Sequence, residues 1–118
     1  PELTDGEYHF CTVADATLQQ VAALDPLCTY REAEGMTLIL GRKTALANDL
    51  AQGPVMRGIT LTVHSSLEAV GLTAAVATAL TEAGISANVV AAFFHDPRFV
   101  PAADADQAVA VLLALGKA

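Results

Sequence analysis

The sequence predicts an α+β fold, a mostly antiparallel sheet with helices gathered on one face. Three observations lead there: short runs of alternating polarity recur along the chain, hairpin-type turns join two pairs of them, and helix-period stretches with capping signals fall between the others. Tyr8 to Val13 (YHFCTV) sets Tyr8, Phe10 and Thr12 against His9, Cys11 and Val13, the period of a strand with two different faces. Asp15 is placed to cap a short helix over Thr17 to Leu24, which Asp25-Pro26 stops. Cys28 to Ala33 and Met36 to Leu40 are β-leaning runs separated by Glu34-Gly35, a tight-turn pair. Ala45 to Ala51 is expected to be helical up to Gly53-Pro54.

The second half repeats this order. Gly58 to His64 alternates Ile59, Leu61 and Val63 against Thr60, Thr62 and His64. Ser65 and Glu68 then stand in the S-x-x-E relation of a capping box, and Gly84 occupies the place of a left-handed helix C-cap. Ile85 to Phe94 and Arg98 to Val100 form a second hairpin across His95-Asp96-Pro97. Asp104 opens a last helix, with Ala108, Val111, Leu112 and Leu115 as its apolar stripe. Each half reads β-α-β-β-α, so the chain divides into units over 1–55 and 56–118 that share one core or pair their sheets, a ferredoxin-like arrangement.

Between Ala69 and Thr81 there is no charged residue. Leu72, Val76, Ala79, Leu80 and Ala83 form a stripe for the sheet; Val70, Thr73, Ala74, Ala77, Thr78 and Thr81 form a band of small residues on the other side. The band predicts a second packing partner for this helix, either the helix of the other half or that of another subunit.

A length of 118 residues leaves no room for a second full domain. The formal charge of −7, with only Arg42-Lys43 adjacent among the basic residues, argues against nucleic acid or an anionic membrane, both of which need clustered cations. Cys11 and Cys28 are too few for a disulfide framework, which points to a reducing compartment. No stretch reaches the ~20 apolar residues of a membrane span, and the start lacks a signal-peptide pattern, so a cytoplasmic location is expected. The start at Pro1 rather than Met leaves room for residues removed before it, a targeting segment among them.

Four groups could carry chemistry. At the strand-helix junction HSSLEAVG, the free N–H groups of a helix start, a hydroxyl from Ser65 or Ser66 and the bare Gly71 suit a small carboxylate; from spacing alone, simple capping with a close-packed glycine is the more ordinary reading of the same features. His9, His64, His95 and Asp96 lack the paired spacing of a zinc site, and Asp96 before Pro97 reads more simply as a turn. Ser65 or Ser66 with His64 or His95, or Cys11 or Cys28 with a histidine, would make a nucleophile and base, but no G-x-S-x-G elbow and no orienting third group accompany them. Asn88, a polar residue inside SANVVA, needs partners for its amide from backbone or from a ligand.

EAEGMTLIL, HSSLEAVGLTAAV and GISANVVAAFFHDPRFVP resemble small bacterial ACT-domain proteins of a family of unknown function, which are similar to the ACT repeats of the CASTOR arginine sensors. The resemblance covers about 30–41 and 56–113. It implies tandem ACT-like units that pair side by side or across subunits and bind an amino acid near a strand-helix turn. The positions it implies are Ser65, Ser66, Glu68, Ala69, Val70 and Gly71, with Asn88 and Val89 on the neighbouring strand. Pro97 stands where relatives often carry a second histidine after His95-Asp96, and Asp15-Ala16-Thr17 replaces the serine-rich turn in the first half.

The expectation is therefore a regulatory, amino-acid-binding protein without catalytic residues, metal or cofactor, forming a homodimer or higher oligomer. The ligand carboxylate would lie on the N–H groups around Ser65 to Leu67, its ammonium would meet Asn88 or backbone carbonyls, and Glu68 or Asp96 would supply negative charge. A dimerisation module without a ligand is the alternative, followed by a hydrolase using Ser65 and His64.

Overall fold

The structure, a computed structural model, describes residues 1–61, 66–92 and 94–116; for residues 66–70, 72 and 116 it describes the backbone alone. Within these the order is β1 (Glu2–Leu3), β2 (Tyr8–Val13), α1 (Leu18–Ala23), β3 (Cys28–Glu32), β4 (Gly35–Gly41), α2 (Arg42–Ala47), β5 (Met56–Thr60), α3 (Ser66–Glu82), β6 (Asn88–Val89), β7 (Arg98–Pro101), a 3-10 turn over Ala102–Asp104, and α4 (Ala105–Gly116). The chain forms two compact units, one of Gly6–Met56 and one of Pro1–Asp5 with Arg57–Ala118. The first five residues thus group with the second half of the sequence.

In the first unit the sheet order is β3-β4-β2, antiparallel throughout, with Cys11 opposite Leu38 and Tyr30 opposite Thr37. The alternation read in β2 is realised: His9 and Cys11 are buried and Thr12 is exposed. Cys11, Val21, Leu38, Leu40 and Ala45 form the core of this unit. His9 is held by its ring, Nδ1–H donating to Gly53 O at 3.0 Å.

Two helix boundaries differ from the sequence reading. The cap of α1 is Thr17, not Asp15: its hydroxyl accepts from Gln20 N–H while the Gln20 side chain accepts from Thr17 N–H, a complete capping box. Helix α2 starts at Arg42, immediately after β4, and stops at Asn48, well before Gly53-Pro54. Asp49 turns left-handed (φ 56°), which lets Leu50 N–H reach Ala45 O at 2.7 Å while the Asn48 side chain caps Thr44 O at 2.8 Å.

The two cysteines are free and unlike. Burial pushes the Cys11 thiol above its ordinary range. A raised native value means stability that is complete below the unfolded thiol's titration and is lost as pH rises through the native one. Cys28 is half-exposed. With a disulfide reagent at neutral pH, Cys28 is expected to react in the native chain and Cys11 only when urea unfolds it; equal rates without urea would contradict this burial.

In the second unit the strands run β1-β5-β7-β6. β1 is antiparallel to β5, with Leu3 opposite Ile59, and Thr4 fastens the end by donating both N–H and hydroxyl to Gly58 O at 2.9 Å each. A Cβ on Gly58 would lie 2.9 Å from Thr4 Oγ1 and 3.3 Å from the Phe99 ring, so any larger residue there would push the Thr4 side chain off its bond to Gly58 O. Ile59 and Val100 from the sheet, Val76 and Leu80 from α3, and Ala108 and Leu112 from α4 meet in one core. In each unit the first strand of the half lies beside its third, which lies beside its second; the duplicated β-α-β-β-α pattern is therefore present in space as well as in sequence.

Helix α3 does have a water-facing side. Val76 and Leu80 are buried, Ala79 and Ala83 partly so, and Ala74, Ala77, Thr78 and Thr81 are exposed. Leu72 and Val70 carry side chains outside the description. Gly84 (φ 75°) ends the helix as expected: its N–H donates to Thr81 O at 3.0 Å and that of Ile85 to Leu80 O at 2.9 Å, the paired bonds of a Schellman cap. The hairpin after it is shorter than the Ile85–Phe94 run suggested. Only Asn88 and Val89 pair with β7. Beyond them Val90 N–H donates to Pro97 O at 3.0 Å, and Ala92 N–H is shared between His95 O at 3.2 Å and Asp96 Oδ1 at 3.1 Å where the turn closes.

Candidate functional site

The residues expected to hold a ligand fall in the second unit. Ser65 and the capping box expected between it and Glu68 lie outside the described residues, as does His64. Ser66, Glu68, Ala69 and Val70 belong to the first turns of α3, with side chains outside the description. Gly71 is exposed, with nothing within 4 Å of a Cβ placed on it. Asn88 and Val89 make up β6 and are both exposed.

Along α3 and the β6–β7 hairpin runs a cavity of about 70 Å³. Thr73, Ala77 and Thr81 line it from the helix, Val89 from β6 and Arg98 from β7. The small side chains of α3 are what leave this space: larger residues at 73, 77 and 81 would fill it. At its base Arg98 is only 2 % exposed. Nη1–H donates to Asp96 O, Nη2–H donates to Thr73 Oγ1 at 3.3 Å, and Nε–H has no partner. Both acceptors are neutral oxygens. Burial draws the guanidinium below its ordinary value, opposed in part by the field of the Asp96 carboxylate, which itself accepts from Ala92 N–H.

Arg98 was not legible as a site residue, because a single arginine after a turn reads as a solvated charge. The signal that could have found it is its place at the head of R-F-V, the only charge in an otherwise apolar strand whose next two residues are also fully buried.

A second cavity, about 410 Å³, lies in the first unit between the β2–α1 connection and the β3–β4 hairpin. Asp15, Arg31, Glu32 and Glu34 line it, all exposed, and the Thr37 hydroxyl donates to Glu32 Oε1. It occupies the place equivalent to the strand-helix turn of the second half, and its lining is a wet, mainly acidic surface that carries no buried polar group.

Other constellations do not assemble. His9 is enclosed in the first unit against Gly53, His95 is exposed on the hairpin loop of the second, and no group of three or more potential metal ligands exists among the described residues. No helix among them is long and apolar enough to cross a membrane.

Two ACT-domain family models match the chain in tandem, over residues 1–57 and 56–114. The chain belongs to the ACT-domain family. It is also similar to a Vibrio cholerae protein of unknown function, described as a possible transport protein, at 49 % identity and a TM-score of 0.89, covering 97 % of this chain and 87 % of that one. No curated protein matches. ACT domains are ferredoxin-like regulatory modules that are not catalytic themselves, generally bind small molecules and often oligomerise. The tandem arrangement expected from the two β-α-β-β-α halves is thereby established.

Proposed function

We propose that this double-ACT chain is an amino-acid-binding regulatory protein with no catalytic activity of its own, acting in the cytoplasm as a homodimer or higher oligomer. The likeness to arginine-sensor repeats read from the sequence belongs to this proposal. The supporting observation is the cavity in the second unit, lined by a buried cation that has one unfilled donor and bounded on the helix side by small side chains. A carboxylate beside an ammonium suits such a place in a chain of charge −7, because a zwitterion is not repelled as a polyanion would be. The ligand would lie along the start of α3 (Ser65, Ser66, Glu68, Ala69, Val70, Gly71) and β6 (Asn88, Val89).

Thermal melting of the full chain against each of the twenty amino acids tests this. A true ligand at 100 times its Kd raises stability by about 2.7 kcal/mol, several degrees for a chain of this size. If none raises the midpoint, amino-acid sensing is wrong, and the exposed small-residue face of α3 is left to an assembly role.

A further inference from the structure

The sequence placed the ligand's carboxylate at the start of α3. The structure offers a different anchor. An arginine that is 98 % buried ordinarily faces a carboxylate, since taking a cation out of water is costly unless charge and hydrogen bonds replace the water. Arg98 has no carboxylate at ion-pair distance among the described residues: its bonds go to the Asp96 carbonyl and the Thr73 hydroxyl, the Asp96 carboxylate reaches it only through its field while one of its oxygens accepts from Ala92 N–H, and Nε–H is unpartnered. The space beside it, about 70 Å³, suits a carboxylate head or a few waters and nothing larger. Its remaining walls, Val76, Leu80, Ile85 and Ala87, are apolar. A low-polarity wall strengthens a charge-assisted bond to whatever anion enters.

We propose that the cavity between α3 and the β6–β7 hairpin is a carboxylate subsite, in which Arg98 and the Thr73 hydroxyl hold the carboxylate of a small zwitterionic or monocarboxylate ligand. The rest of that ligand extends past Val89, whose side chain is 46 % exposed and borders the cavity. This rests on the amino-acid reading above and names which group of the ligand enters first. The alternative role for Arg98 is a brace that ties the hairpin tip to α3 through the two bonds it already makes.

Two measurements on the full chain separate these. The first compares melting with each amino acid and with its carboxamide, in wild type and in Arg98→Met. The subsite predicts a midpoint rise for the acid, none for the amide, and loss of the rise in Arg98→Met, with Kd raised about 10- to 100-fold, the value of charge-assisted hydrogen bonds. Equal rises for acid and amide, or a rise retained in Arg98→Met, overturn the subsite and leave amino-acid binding standing elsewhere.

The second needs only folded wild-type protein. The Arg98 Nε–H resonance, identified by its absence in Arg98→Met or, if that variant does not fold, in Arg98→Lys, is followed while acetate replaces chloride at constant ionic strength. A saturable shift of that resonance supports the subsite even if no amino acid raises the melting point, in which case the amino-acid reading fails alone. An unmoved resonance shows Arg98 to be a brace and overturns the proposal.

Discussion

Leu40→Ala is expected to destabilise the chain by about 2–5 kcal/mol, read as a lowered urea midpoint in circular dichroism. Leu40 is completely buried on β4, the central strand of its sheet, and shares a core with Cys11, Val21, Leu38 and Ala45. Removing three carbons forfeits their transfer out of water and leaves a void that a strand hydrogen-bonded on both edges cannot collapse to fill. Leu46→Ala makes the contrast within the same unit. Leu46 lies on α2 at 58 % exposure, and its change is expected to stay within about 0.5 kcal/mol. Equal losses at the two positions would mean that the first unit is not organised around this core.

Gly35→Ala is expected to cost about 1–3 kcal/mol by the same measurement. Gly35 opens β4 after the Ala33-Glu34 turn with φ at 155°, a backbone conformation that side chains rarely allow. A Cβ there would also come within 2.7 Å of the Val13 carbonyl oxygen. That oxygen belongs to the backbone of a neighbouring strand, so relief requires the β2–β4 pairing itself to shift. At Gly71 the same substitution meets open space inside a helix, and there Ala is expected to add about 0.5–1 kcal/mol through its better helix propensity. The opposite signs of two Gly→Ala changes separate a glycine required by geometry from one that is only permitted.

Much of the fold was legible because it depends on local periodicity. β2 alternates in sequence and in burial, and Gly84 caps α3 where the pattern ends. Where reading and structure part, two local signals competed or a tertiary one decided. Asp15 and Thr17 both satisfy the rule for a helix cap, and Gln20, three residues after Thr17, decides between them. α2 starts earlier than the pattern predicts because Gly41, the last residue of β4, is also its N-cap, with no polar spacer to mark the change. The run after Ile85 has strand composition, yet opposite it stands Pro97, which accepts from Val90 N–H but has no N–H to return, so the regular pairing stops at Val89. The docking of Pro1–Asp5 beside the second half could not be read at all, since a two-residue strand has no period.

The site divides in the same way. The sequence pointed to the α3 and β6 side of the second unit through helix-start and small-residue signals. It missed Arg98, because burial of a charge is set by what packs over it and not by its neighbours in the chain.

The central claim is that the second unit holds an amino acid, and calorimetric titration of the full wild-type chain with the amino acid that most raises its melting point tests it most directly. The account predicts saturable binding of one ligand per chain, abolished when the ligand's carboxylate is replaced by an amide. No saturable heat for any of the twenty amino acids would contradict it.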